Sequence, residues 1–274
     1  MIKNLKLITA LMSIYVIWGS VYLAIKIAVQ EFPPLLMSGS RFLIAGIILY
    51  IIAFFFGAPR PSKKEWFNAM ILGTFLFMFG NGLVVIAEQT VDSGITAMLK
   101  STEPLWMLII SLVLNKEKNS VSKVDIISLI FGFFGVIILL SNNFKPDVEK
   151  IDPFGVTLIL ISCISWSLGS FITAKKHVSQ NPVQATGMKM ISGGSIILIL
   201  SLLRGEFSDP RLFHLSSQAI LSQAFLIIFG SLVAFNAYAW LLRNASLTLA
   251  STYAFVNPLV AIILGVVFAN EQLN

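Results

Sequence analysis

The sequence predicts an all-helical, multi-pass membrane protein built from two inverted repeats, and three observations carry that prediction. Of 274 residues 57% are hydrophobic and only 12% are charged, about half the charge of an ordinary soluble domain. Apolar runs recur at the length of roughly 20 residues that a helix needs to cross the hydrocarbon, and the run from Leu215 to Leu242 holds no charged side chain. The halves also echo one another. Gly19-Ser20 and Ala24, preceded by Ile14, return as Gly169-Ser170, Ala174 and Ile164 at an offset of 150, while Glu103-Pro104 and Lys116-Glu117 return as Asn257-Pro258 and Asn270-Glu271 at an offset of 154.

The first apolar stretch, Leu5 to about Val29, follows Lys3 and Lys6. It is longer than the apolar core of a signal peptide and has no small-residue cleavage site, so it reads as an uncleaved first helix. The following spans are Leu35 to Phe56, Phe67 to Ala87, Gly94 to Leu114, Val124 to Ser141, Pro153 to Ala174, Gln184 to Leu203, Ser217 to Leu242 and Thr248 to Phe268. Residues 1–143 then form a first unit of five helices and residues 152–274 a second unit of four, in which the tenth helix is missing. Because five is odd, the second unit is expected upside down relative to the first.

Basic residues fix the expected orientation. With a cytoplasmic amino terminus, Lys3, Lys6, Arg60, Lys63, Lys64, Lys116, Lys118, Lys123, Lys175, Lys176 and Arg243 all fall on the inner side, and only Lys145, Lys150, Arg204 and Arg211 on the outer. That bias is the strongest topological signal a sequence offers. It also explains the formal charge of +6 without a nucleic-acid partner. The lone Cys163 excludes an internal disulfide, and two histidines leave little for a metal, so no metal or cofactor is expected.

Three costly residues interrupt the fourth span. Lys100 and Glu103 lie three apart on one helix face and can neutralise one another, and ionisable groups at mid-membrane mark substrate or ion paths unless they serve packing alone. Pro104 withholds a backbone donor from the carbonyl of Lys100. In the corresponding ninth span Tyr253 and Asn257 share a face ahead of Pro258, giving a polar patch that suits either a substrate or helix packing. Asn81 and Asn236 sit mid-helix in the third and eighth spans and are expected to face a cavity, since an amide in lipid would be unsatisfied. Trp18 and Tyr22, with Tyr15 and Trp166, line a path for apolar solutes or anchor packing. Arg41 and Glu88 form a candidate outer gate or snorkel to the interface, as Lys26 and Lys189 do. Small residues four apart, such as Ala97 with Ser101 and Ala250 with Ala254, permit close helix approach within one chain or across a homodimer.

The words YVIWGSVYLAIKIAV from Tyr15, SRFLIAGIILY from Ser40, GNGLVVIAEQ from Gly80, DSGITAML from Asp92, ISWSLGS from Ile164 and AFNAYAWLLRNASLTLASTYAFVNPLVAIILG from Ala234 cover nearly the whole chain. In that order it resembles the EamA family of the drug/metabolite transporter superfamily, among its bacterial inner-membrane permeases. The resemblance implies a ten-helix exporter-like fold whose central cavity is lined by the third, fourth, eighth and ninth helices among others.

No nucleotide-binding glycine pattern, H-E-x-x-H, G-x-S-x-G or paired acidic prenyltransferase motif occurs, which argues against an enzyme. The expected function is a secondary transporter exporting small metabolites, amino acids or amphipathic drug-like compounds across the inner membrane by alternating access. A lipid or lipid-sugar flippase subunit and a non-transporting, truncated membrane protein are the alternatives. The expected partners are a small-molecule substrate and the lipid bilayer.

Overall fold

A computed structural model describes residues 2–91, 93–114, 152–176 and 178–269, together with positions 126, 127, 130, 131 and 134. Among the described residues there are helices and no strands, and seven helices are long and apolar enough to cross a membrane. With the two parts of each interrupted span labelled separately, the helices in chain order are α1 (Ile2–Ala28) and α2 (Pro34–Phe55), α3 (Lys63–Ala87), α4 (Ser93–Lys100) and α5 (Glu103–Leu114), α6 (Pro153–Lys175) and α7 (Pro182–Leu203), α8 (Ser217–Asn244), and α9 (Leu247–Ser251) and α10 (Tyr253–Ala269). The predicted fifth span, Lys116-Glu117 and Asn270-Glu271 lie outside the described residues apart from the five helical positions between 126 and 134.

The helix starts are written locally. Asp152 and Asn181 accept backbone N–H groups ahead of Pro153 and Pro182, where proline costs nothing because its missing donor would be orphaned anyway. Ser62 and Glu65 form a reciprocal capping box at α3, and Ser216 and Ser246 cap α8 and α9. Both α2 and α7 run out into a left-handed glycine, Gly57 and Gly205, which ends a helix without the Cβ clash another residue would meet.

Polarity is turned inside out relative to a soluble protein. Leu5, Ile8, Met12 and Val16 form an exposed stripe down α1, and Ile199, Leu202 and Leu203 do so on α7, while Arg41, Glu88, Lys100, Glu103 and Lys189 are buried. Apolar groups face lipid and the ionisable ones face protein, the arrangement that hydrocarbon surroundings require.

The packing obeys the predicted inversion. Helix α1 packs on α8 and α10, and correspondingly α6 packs on α3 and α5; α2 packs on α8 as α7 does on α3. At the centre α2 crosses α7 through two pairs of glycines spaced by seven. A Cβ on Gly46 would stand 2.7 Å from the Ile191 nitrogen and 2.9 Å from the Gly187 oxygen, and one on Gly194 would stand 3.0 Å from the Gly39 oxygen. Gly46 meeting Gly187 and Gly39 meeting Gly194 makes the two helices antiparallel, so α7 is α2 reversed. Tying contacts agree: Leu36 N at the start of α2 donates to Glu206 just past the end of α7, and Gln184 at the start of α7 donates to the Pro59 carbonyl past the end of α2.

Two features repeat beyond what the apolar pattern predicts. Wide π-type turns occupy Thr74–Gly82 in α3 and Leu226–Val233 in α8. The fourth and ninth spans are also interrupted, the fourth directly ahead of Pro104 and the ninth well ahead of Pro258. The chain breaks at Ser101-Thr102 and at Thr252, and Pro258 lies inside α10 without ending it. Hydroxyl back-bonding marks both breaks. Ser101 Oγ donates to Met98 O and Thr102 Oγ1 to Leu99 O, just as Ser251 Oγ donates to Thr248 O and Thr252 Oγ1 to Leu249 O. The hydroxyls share those carbonyls with backbone amides in tightened turns, Ser101 N on Met98 O, Thr102 N on Leu99 O and Thr252 N on Leu249 O, and such back-bonding bends a helix. Ser101-Thr102 and Ser251-Thr252 are 150 apart, so the breaks follow the offset of Gly19 and Gly169 and not that of the prolines.

Candidate functional site

Those breaks sit beside a central cavity lined by α1, α2, α3, α4, α5, α6, α8 and α10. At the 150 offset Glu103, first residue of α5, is the counterpart of Tyr253, first residue of α10, and the two meet: Tyr253 Oη donates to Glu103 Oε2 at 2.6 Å. Contact between positions that correspond in the two halves places this pair where the inverted halves meet. Glu103 is 1% exposed and pairs through its other oxygen with Lys100. The Lys100 ammonium also reaches Ser162 Oγ at 3.5 Å and stands 5.8 Å from the Trp166 ring centroid, within cation–π range. Trp166 Nε1 in turn donates to Tyr253 Oη at 2.7 Å. Carboxylate, ammonium, phenol and indole are thus one connected set, each satisfying another, as groups buried in low dielectric must be.

Around it stands an aromatic shell centred on Trp18, whose ring lies 5.6 Å from Trp166, 5.1 Å from Phe235, 5.0 Å from Tyr238 and 4.8 Å from Tyr253. Edge-on geometry predominates, the arrangement in which a ring's positive rim meets a negative face. Trp18 Nε1 donates to the Gly230 carbonyl within the wide turn of α8, and Tyr238 Oη donates to Ser170 Oγ at 2.8 Å.

Arg41 enters the same cavity from α2. Its Nε donates to Ser231 Oγ at 2.8 Å and its guanidinium rests 4.8 Å from the Phe42 ring centroid. Of its five donors, the one on Nε alone has an acceptor among the described residues. It neither snorkels nor pairs with Glu88 as predicted, because the space beside Gly230 admits the guanidinium inward: a Cβ there would stand 2.8 Å from Arg41 Nη2. Glu88 is 7% exposed and both its oxygens lack a hydrogen bond among the described residues, with Lys26, Lys100 and Arg41 acting on it through space.

Of the predicted path residues, Trp18, Tyr22, Asn81, Lys100, Glu103, Tyr253 and Asn257 line the cavity. With its amide nitrogen turned to the neighbouring carbonyls, Asn257 donates to Tyr15 O at 3.1 Å and Tyr253 O at 3.0 Å. Asn81 and Asn236 use their amides on their own helices, donating to Leu76 O and Leu232 O beside the π-type turns. Asn236 stays out of the cavity, as does Pro258. Pro104 lines a separate cleft with Ser246, Leu247 and Thr248. Lys189 is buried, not snorkelling.

Sequence reasoning did not assign Phe235 and Tyr238 to the site or separate Arg41 from Glu88. The recurring Ser-Thr pair was the available signal for the breaks. Space open to water centres amounts to about 50 Å³, and since one water needs about 10–15 Å³, the cavity in this state takes a few waters and excludes a metabolite.

Comparison with known proteins identifies the family. The sequence model of the EamA-like transporter family matches the chain twice, over residues 5–141 and 153–274. The chain belongs to the EamA family. Among similar EamA-type proteins are the inner membrane transporter YedA of Escherichia coli K12, 37% identical over 98% of this chain and 85% of that protein, and the transporter YoaV of Bacillus subtilis 168, 24% identical over 98% and 90%. A solved crystal structure superposes with a TM-score of 0.72 at 16% identity, covering 96% of this chain and 88% of that one, which supports the fold alone. The chain is thus a multi-pass member of a transporter family.

Proposed function

We propose that this protein is a secondary transporter of the inner membrane that exports small charged metabolites, amino acids among them, by alternating access. Units 1–143 and 152–274 act as the two inverted halves, with the amino terminus cytoplasmic. The observation that carries the reading is the pairing, in one buried cavity, of an arginine with unused terminal donors and a lysine and glutamate neutralising one another. A solute carboxylate meets Arg41 in bidentate geometry. A solute ammonium competes with Lys100 for Glu103, whose aromatic surround suits a cation. The waiting ion pair spares the empty cavity an uncompensated charge.

Because the cavity is too small for such a solute, binding requires the helices to part, and the broken spans α4/α5 and α9/α10 give the turn of backbone at which they do so. Discontinuous helices meeting at mid-depth are the usual site of substrate binding in inverted-repeat transporters. The reading is tested in proteoliposomes loaded with a pooled metabolite extract, with and without a pH gradient, comparing the native chain with Arg41→Gln and Lys100→Met. Solutes depleted by the native chain and retained by Arg41→Gln support it. No solute moved under any gradient, or equal movement by all three chains, refutes it.

A further inference from the structure

A second site lies far from this cavity in chemistry and place. At the end of the bundle where α6 finishes and α7 begins, a small cleft is lined by Thr173, Lys176, Thr186, Lys189 and Arg243 among others. It shares Lys176, Val178 and Arg243 with a wider groove that adds Lys64, Asn68 and Ser179 and holds about 370 Å³ of space. The cleft beside Lys189 has about 10 Å³ of space, enough for one water, so a larger anion fits only in the groove outside it.

The charges there are unbalanced. Lys189 is 5% exposed, and among the described residues none gives its ammonium a hydrogen bond or an ion pair; the charged group acting on it is Arg243, another cation. Thr173 lines the same cleft, and its Oγ1 is buried with no hydrogen bond among the described residues. Arg243 uses one nitrogen on the Ser179 carbonyl at 3.3 Å, and Lys176 Nζ donates to Asn68 Oδ1 at 3.3 Å. The carboxylate that lines the groove, Glu65, is turned away to the amide and hydroxyl of Ser62. A buried cation facing only another cation is costly unless an anion offsets it nearby, and the groove sets the Arg243 guanidinium together with the Lys176 and Lys64 ammoniums, donors that suit a tetrahedral oxyanion.

We propose that Lys176 and Arg243 form a phosphate-binding site in the groove, with the buried charge of Lys189 behind it, and that the phosphate is that of an anionic lipid headgroup. The depth favours the lipid: the groove lies at the helix ends, where headgroup phosphates lie, and basic pockets between spans at that level take such headgroups. The site is independent of the central cavity and of its substrate.

The test uses the whole protein in nanodiscs of phosphatidylcholine alone or with phosphatidylglycerol, and in uncharged detergent with inorganic phosphate. Thermal stability and lipid retained on native mass spectrometry are the readouts. Phosphatidylglycerol should be retained over phosphatidylcholine and raise the melting temperature, and Lys189→Met and Arg243→Gln should each weaken that preference about tenfold, the loss of the charge behind the site and of one charge-assisted contact. In pure phosphatidylcholine Lys189→Met should be no less stable than the native chain, which separates loss of a ligand from loss of the fold, and Lys176→Gln, at an exposed position, supplies a variant that cannot disturb packing. Stabilisation by inorganic phosphate, abolished by the same changes, would keep the site and assign it to soluble phosphate. No effect of either probe, or an equal effect on native and substituted chains, overturns the proposal.

Discussion

Removing the charge from Glu103 and from Lys100, singly and together, tests whether the two behave as one neutral unit inside the bundle. The pair is in direct contact, with Glu103 1% and Lys100 8% exposed. Breaking a buried ion pair by removing one partner costs about 3–5 kcal/mol, since the other charge is left uncompensated. Glu103→Gln keeps the shape and still accepts from Tyr253, so its cost reports the stranded ammonium. Lys100→Met strands the carboxylate. The double substitution strands neither and should cost little, giving a coupling of at least about 3 kcal/mol in a double-mutant cycle. The assay is reversible unfolding in mixed micelles for the four chains, with proteoliposome transport beside it. Costs that simply add in the double variant would refute the coupled-pair reading. So would a stable Glu103→Gln chain that transports at the native rate.

Three further outcomes follow from other contacts. Gly46→Val places carbon where even a Cβ would stand 2.7 Å from the Ile191 nitrogen, so it should destabilise by about 1–3 kcal/mol; a melting temperature within error of native would contradict a tight α2–α7 crossing. Tyr253→Phe removes the donor to Glu103 and the acceptor of Trp166 and should cost about 1.5–3 kcal/mol, whereas Trp166→Phe, losing a neutral bond, should cost about 1 kcal/mol beyond lost packing. An equal or reversed ranking in chemical unfolding would count against the network. In the loops, the Ser216 amide and hydroxyl hold the Glu31 carboxyl below its ordinary value, and Thr90 does the same to Asp152. A depressed carboxyl contributes stability that is present above its unfolded pKa, near 4, and is lost as pH falls through the folded one. Native protein should therefore lose stability on acidification below about pH 4, and Glu31→Gln with Asp152→Asn should flatten that limb; unchanged slopes would remove both ties from the account.

Much of this was legible in the chain because membrane physics is severe. A span must be apolar on its lipid side and satisfy its own backbone, so Ser217–Asn244 and Pro153–Lys175 stand out by composition. Lys100 and Glu103 were conspicuous for the same reason: two charges at that depth mark either a substrate or ion path or a neutralising pair within the packing. Pro258 misled because proline marks a break only where no other group restores the ladder, and the structure keeps it inside α10. Arg41 could not be placed because direction along a helix face near an interface depends on what the neighbouring helix leaves open, here Gly230 on α8. The glycine crossing of α2 and α7 joins positions 39 and 46 to 194 and 187, a pairing across two helices that local periodicity does not encode.

The meeting of Glu103 with Tyr253 has a consequence for direction. In a chain whose halves were identical, the shape open to one side and the shape open to the other would be the same object turned over, and neither would be preferred. Here an acid faces a phenol across the dividing line, and Lys100 stands opposite Ala250 at the same offset. Under the proposed alternating access the two open shapes would then differ in energy by whatever these unlike residues contribute, and a difference of about 1.4 kcal/mol already sets a tenfold resting bias. Which way the empty protein waits is written in the places where its halves have stopped matching.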